Sequence, residues 1–337
     1  MDFELSDDQQ ALRDAARELL DDRAGAAQVR AVVDAGLPYD VELWKAMVDQ
    51  GWTGIAAPED AGGVGLGWVE VAVLAEAVGA HVAPAPIVQS MIAVDALRDT
   101  PLIDPVLAGD DIACVAVSGR REVVPYVASA DIAVCRRGDE LVVADLREQR
   151  PAREPAMDVT REVGWLDPDA LVGAQSIGGD AALQRFVDHG ATAYAAELLG
   201  AAHRMLDEST EYAKERVQFD RPIGSFQAVK HRLADMLVDV EGMRSAVYWA
   251  AWCIAADHAD ASVAASTAKV WCSDAARRVV ASALQVHGGI GFTWEHDVHL
   301  YMKRVQLDAL AFGDATAHRT RLAQLLRAKL DAGESVL

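Results

Sequence analysis

The sequence predicts a mostly α-helical protein with a small β domain in its middle. Three observations carry that expectation. Stretches with the 3.6-residue apolar period of a helix occupy both ends of the chain. From about residue 101 to 178 they give way to short β-branched runs bounded by Gly and Asp. After residue 179 long helical stretches follow one another across short turns, the pattern of an antiparallel bundle. The implied division is an N-terminal helical domain over 1–100, a middle β domain over 101–178 and a C-terminal helical bundle over 179–337.

Each element has its own local reason. Ser6 and Gln9 have capping-box spacing, and Leu12, Ala15, Ala16 and Leu19 continue one helical face. Leu43, Trp44 and Met47 mark a short amphipathic stretch over 41–50. The segment AAPEDAGGVGLG (56–67) is a loop by its Pro and Gly content, and 68–80 and 86–98 are helical again. DDIACVAVS, REVVPYVASADIAV and DELVVADL form the β region, which is short for an independent domain and must pack on its neighbours. Residues 181–215 carry an Ala/Leu pattern. Residues 226–257 make a long amphipathic helix through Val229, Leu233, Met236, Leu237, Val240 and Met243, and its Met and aromatic positions are most simply core. An Ala-rich helix spans 262–286, HGGIGFTWEHD (287–297) interrupts it, and helices over 298–311 and 315–331 flank a last loop.

The chain has 337 residues, 52% hydrophobic and 25% charged, enough for a sizeable buried core in a soluble protein. No apolar run is long enough to span a bilayer, and the acidic start MDFELSDDQQ is not a signal peptide. The net charge of −21 argues against nucleic acid or an anionic membrane as partner. Cys114, Cys135, Cys253 and Cys272 show no metal-like spacing, so reduced buried thiols in the cytoplasm are expected, with no metal.

Two segments carry chemistry suited to a dinucleotide. In ERVQFDRPIGSFQAVKHRLADM (215–236), Arg216 can offer a guanidinium fork to a pyrophosphate and Phe219 a flat apolar surface. In LQVHGGIGFTWEHDVHLYMKR (284–304), Gly288, Gly289 and Gly291 let a backbone approach a ligand closely. Taken singly, a GGIG is usually only a turn and Arg216 a solvated surface residue. His287 is more simply packed or capping than metal-ligating, having no second ligand at i+3 or i+4.

Together with WTGIAAPEDAGGVGLG (52–67), these segments resemble the acyl-CoA dehydrogenase family, and the resemblance runs from the first helix to the last. It implies an N-terminal helical domain, a reduced β-barrel-like middle domain and a four-helix bundle. It also implies FAD as cofactor, an acyl-CoA substrate, an electron-transfer acceptor, and a dimeric or tetrameric assembly. By family position Arg216, Gln218, Phe219, Gln285, Gly288 and Gly289 hold the ADP half of the FAD housed mainly by a neighbouring subunit. Asp220 stands where the family usually has glycine.

Two family features are missing. The loop that lines the flavin ring is absent, because CVAVSGRREVVPY (114–126) passes straight from one strand to a later one. The glutamate base that precedes the glycine of the last loop has Phe312 at its ungapped position, before Gly313. A slipped register offers Asp314 as the catalytic base, although its simpler reading is an N-cap for the last helix. The alternative family position for the base falls at Gly190–Ala191, near Asp188. The resulting expectation is a subunit of an FAD-dependent acyl-CoA dehydrogenase that supplies the cross-subunit ADP clamp, paired with a longer catalytic paralogue. The alternatives are a self-sufficient homo-oligomeric dehydrogenase using Asp314, or an inert assembly subunit without flavin.

Overall fold

The computed structural model describes residues 4–335. The chain opens with α1 (Asp7–Arg23), and its Ser6/Gln9 capping box is formed in both directions. A helix without an expectation from periodicity follows, α2 (Ala26–Asp34), then α3 (Val41–Asp49), capped by Asp40. Helices α4 (Trp68–Ala80) and α5 (Ile87–Leu97) are apolar on nearly every side and run through the core of this region. A short α6 (Ile103–Leu107) leads into the strands.

The β region consists of two small sheets. Strands β1 (Ala113–Ala116), β3 (Ile132–Arg137), β4 (Glu140–Asp145) and β7 (Gln175–Gly178) form one, in the order β1-β3-β4-β7, with β1 and β3 parallel. Strands β2 (Glu122–Pro125), β6 (Val163–Leu166) and β5 (Arg153–Glu154) form the other. Strand β1 packs on α5, and β4 and β7 on the first bundle helix, so the sheets are covered by helices as their length requires.

Four long helices follow: α7 (Asp180–Glu215), α8 (Gln227–Ala255), α9 (Ala261–His287) and α10 (Val298–Asp308). Helix α9 packs on α7, α8 and α10, and α11 (Ala315–Asp331) extends the bundle along α9. Of the residues expected on the inner face of α8, Met236, Val240 and Met243 are buried, but Leu237 is 50% exposed, and the expected core aromatic Trp252 is 37% exposed. Both face outward from the bundle because the stripe on α8 is wider than its neighbours cover.

The first helical region is welded to the bundle by close backbone contact. A Cβ on Gly79 of α4 would lie 1.9 Å from the Glu197 carbonyl of α7, and one on Gly200 would lie 1.8 Å from the Glu76 carbonyl. Glycine at both points is what lets the two helices touch. Glu76, buried beside this crossing, accepts from Arg244 Nη1 at 2.9 Å and from Tyr248 Oη at 2.7 Å, both on α8. All four cysteines are buried and unpaired, and burial raises the pKa of each thiol. Among the described residues no helix is long and apolar enough to cross a membrane.

Candidate functional site

The residues expected to clamp a dinucleotide gather at one end of the bundle. Helix α7 stops at Arg216, whose N–H donates to Tyr212 O at 2.8 Å. A two-residue hairpin follows, β8 (Val217–Gln218) against β9 (Arg221–Pro222). Its loop is Phe219–Asp220, with φ of 54° and 61°. Two left-handed residues make the turn type that fits the twist of a hairpin, and such positions favour Gly or Asn. That explains the family's usual glycine at position 220, and an aspartate tolerates the conformation better than most residues. The turn holds the Phe219 side chain out, 85% exposed, with its ring edge-on to Phe226 at 6.0 Å. Gln218 and Gln285 are exposed as well, and Gln218 Nε2 donates to the carbonyl of Val217.

The glycine turn meets this hairpin through an aromatic stack. Tyr212, one turn before Arg216, lies on the His287 ring at 4.6 Å and 25°. His287 donates from Nδ1 to Ala283 O at 2.8 Å, and burial lowers its pKa, so it is the packed, neutral ring that its spacing suggested. Gly288 closes α9 at φ 62°, and a Cβ added at Gly288 or Gly289 would meet nothing within 4 Å. The turn therefore presents bare backbone to open space. A guanidinium, a flat ring, two amides and an unobstructed backbone suit the ADP half of FAD.

The candidate base positions are arranged differently. Phe312 sits between α10 and α11 at φ 55° and is 5% exposed. A side chain in that region costs about 1–2 kcal/mol, so packing must hold it there. Its ring lies 5.1 Å from Phe186 and 5.7 Å from Tyr194. It also rests on Gly190 so closely that a Cβ there would come within 2.0 Å of the ring. The residue expected at the ungapped position of the glutamate is thus an aromatic ring, and Gly190 of the expected alternative Gly190–Ala191 lies beneath it. The Phe312 carbonyl accepts from His318 Nε2 at 2.8 Å, and burial pushes the His318 pKa down to about 4, which keeps it a neutral donor.

Asp314 caps α11, its Oδ1 accepting from Ala317 N at 2.8 Å. Asp188 is held by Arg321 Nη1 at 2.6 Å and Ser262 Oγ at 2.6 Å. A cleft of about 430 Å³ opens beside Phe312 between the first turns of α7 and the length of α11 from Ala317 to Ala328, and the carboxylate lining it is Asp180 at the start of α7.

Behind Phe312 lies a cluster of buried charges with no expectation from the sequence. Arg161 Nη1 donates to Asp308 Oδ1 at 2.5 Å, and Arg161 also pairs with Glu197. Arg304 donates to Asp158 Oδ2 at 2.8 Å, Glu197 Oε1 at 3.0 Å and Thr160 Oγ1 at 2.6 Å. Lys269 donates to the carbonyls of Asp308 and Ala309 at 3.0 and 3.1 Å. Three basic and three acidic side chains thus face one another in a core that excludes water. Burial pushes the Asp308 pKa up to about 7 and the Lys269 pKa down to about 7. The cluster ties the strand segment around Arg161 to α7, α9 and α10. The buried Tyr126 ring lies under the Arg161 guanidinium at 5.8 Å, just after β2. Strands β1 and β2 are joined by residues 117–121 alone, so the connection between them is a short turn. A signal for the cluster existed: Glu197 and Lys269 are single charges inside the apolar runs AYAAELLGAA and ASTAKVWC, where a charge must be paired.

Comparison with known proteins finds relatives along most of the chain. The model of the acyl-CoA dehydrogenase N-terminal domain matches residues 6–100, and that of the C-terminal domain matches residues 178–326. The acyl-CoA dehydrogenase IpdE2 of Mycolicibacterium smegmatis is 35% identical over 322 residues, covering 94% of this chain and 98% of the relative. Among solved structures, one described as a Tcur3481–Tcur3483 steroid ACAD variant superimposes with a TM-score of 0.87 at 30% identity, covering 96% of this chain and 99% of that one. The ChsE4–ChsE5 complex from Mycobacterium tuberculosis gives 0.87 at 28% identity, covering 97% and 99%.

Proposed function

The chain belongs to the acyl-CoA dehydrogenase family, whose cofactor is FAD, and from that premise we propose that it is the non-catalytic subunit of a heteromeric acyl-CoA dehydrogenase. It clamps the ADP half of a flavin whose ring and substrate lie in a longer paralogue. FAD, when bound, supplies the hydride acceptor for α,β-dehydrogenation of the thioester. This chain's own contribution is to orient that cofactor. Arg216 offers paired N–H donors to the pyrophosphate, Phe219 covers an apolar face, Gln218 and Gln285 supply amides, and the Gly288–Gly289 backbone lets the ligand come close.

The observation that carries the reading is Phe312 seated on Gly190. General base catalysis needs a carboxylate within hydrogen-bond reach of the substrate α-carbon proton. Here both candidate sites for it are apolar and in contact. Asp314, the remaining candidate, is bound as a helix cap. The exposed Leu237, Trp252 and Phe219 suit a chain whose bundle is covered by a partner. Two structural neighbours are described by paired names, and one is called a steroid ACAD, which supports a heteromer and, as substrate class, acyl-CoA thioesters of steroid side chains. The domain limits 1–100, 101–178 and 179–337 belong to the same proposal.

The test is to express the chain alone and together with a glutamate-bearing paralogue, then measure flavin content and acyl-CoA oxidation. Flavin and turnover are expected only in the mixed assembly. Arg216→Ala in that assembly should weaken FAD retention about ten- to a hundredfold, the loss of one charge-assisted contact. A flavin-loaded chain that turns over by itself would overturn the proposal.

A further inference from the structure

A second cavity lies on the opposite side of the α7 N-terminal turns from the cleft beside Phe312. It has a volume of about 580 Å³ and sits where the end of α5, the β4–β7 sheet edge and α7 meet. Cavities of this size at the junction of structural units are the usual setting of small-molecule sites. Its floor is apolar, built from Leu102, Leu141, Val143, Ile177 and Phe186. Its rim carries two guanidinium groups, Arg98 and Arg185.

The two cations differ in their company. Arg98 donates to the side chain and carbonyl of Asp95, whose side chain is 8% exposed and whose other oxygen lies 2.6 Å from His189 Nδ1. Asp95 is therefore the partner of Arg98. Arg185 makes no hydrogen bond or ion pair among the described residues. The two positive groups act on each other: the Arg98 pKa is lowered, first by burial and then by Arg185, and both arginines help lower that of His189. His189, pushed by burial down to about 3, adds no charge. Asp99 is the further carboxylate at the rim.

We propose that this cavity binds a monocarboxylic acid with an apolar tail. The carboxylate would take the free fork of Arg185, in the bidentate geometry that a guanidinium favours, and the tail would lie on the apolar floor. Asp99 limits the charge of the head group. A monoanion can pair with Arg185 against one rim carboxylate, whereas a doubly charged phosphate would add a second repulsion from Asp99 with no further unpaired cation to offset it. The site does not depend on the subunit reading above, since it shares neither the flavin clamp nor the Phe312 loop.

Equilibrium dialysis of the full chain against labelled decanoate tests the assignment, with decylamine and inorganic phosphate as competitors. One saturable site per chain is expected, displaced by neither competitor. Arg185→Gln should weaken it about tenfold or more, the loss of a charge-assisted pair. Ala182→Trp, which fills the cavity from the α7 side, should abolish binding while the circular dichroism of the chain stays unchanged. Arg98→Lys, which keeps a cation beside Asp95, is expected to bind as the parent does. No saturable binding, displacement by decylamine, or binding untouched by both Arg185→Gln and Ala182→Trp would each overturn the proposal.

Discussion

Replacing Phe312 with the residue that family members carry there should not create an active site, and it should destabilise the chain measurably. Phe312→Glu removes a ring that is 5% exposed and in contact with Phe186, Tyr194 and Gly190. Truncating a buried phenylalanine costs about 3–5 kcal/mol. The two methylenes of glutamate recover roughly 0.8 kcal/mol each. Its carboxyl, enclosed by apolar rings without a partner, adds a penalty of about 1–3 kcal/mol. The net loss is about 4 kcal/mol. With an unfolding entropy of about 2.1 cal/mol/K per residue over this length, the melting temperature should fall by about 6 °C. The introduced carboxyl would have its folded pKa raised by burial, so its penalty is smallest in acid and grows as pH rises through that pKa. The gap between parent and variant should therefore widen from pH 5 to pH 8. Differential scanning fluorimetry across that range measures it, with Phe312→Leu as a control that keeps an apolar side chain and has no pH-dependent gap. A melting temperature unchanged at all pH values, or acyl-CoA oxidation by the variant chain alone, would refute the reasoning.

Further expectations concern the cap, the helix crossing and the buried lysine. Asp314→Asn should leave stability and the turnover of the mixed assembly unchanged, because Asn caps as well as Asp. Asp314→Ala should lower stability by about 1 kcal/mol in urea unfolding, with turnover again retained. Gly200→Ala places a Cβ 1.8 Å from the Glu76 carbonyl, a backbone obstruction that cannot rotate away, and should cost about 3 kcal/mol in the same assay. Gly179→Ala, which would meet nothing within 4 Å, serves as its control. Lys269 has a folded pKa of about 7 against 10.5 when unfolded, so the folded state holds fewer protons between those values. Its contribution to stability is present in full above pH 10.5 and is lost as pH falls toward 7. The parent should gain stability over Lys269→Met between pH 7 and pH 10, by up to about 1.4 kcal/mol per pH unit. A flat difference would contradict that shift.

How far the sequence can be read depends on how local the governing interaction is. The bundle helices, the Ser6 capping box and the Asp314 cap follow from residues within a few positions of one another, and periodicity finds them. Helix α2 escapes because Ala26–Asp34 is short and its two buried positions, Val29 and Val32, define hardly one turn of a stripe. Leu237 and Trp252 have the right spacing to be core and are exposed, since periodicity records a face without recording what covers it. Arg216, Gln218, Phe219, Gln285, Gly288 and Gly289 came from two contiguous motifs, and a motif keeps its residues together when the chain folds. The charge cluster joins Asp158, Glu197, Lys269 and Arg304, which no local pattern connects. Phe312 and Gly190 likewise meet only in the folded chain, so the sequence could mark each as a missing base without marking that one fills the space of the other.

That mutual fit couples positions 190 and 312 energetically. A glutamate placed at position 312 leaves a hole over Gly190 and an unpartnered carboxyl within it. A glutamate gained at position 190 collides with the Phe312 ring. Each single change is therefore harmful while the other residue stands, and only a paired change opens the space. A carboxylate at either position therefore needs a compensating change at the other, so the two residues are coupled and neither can be exchanged alone without cost to the fold.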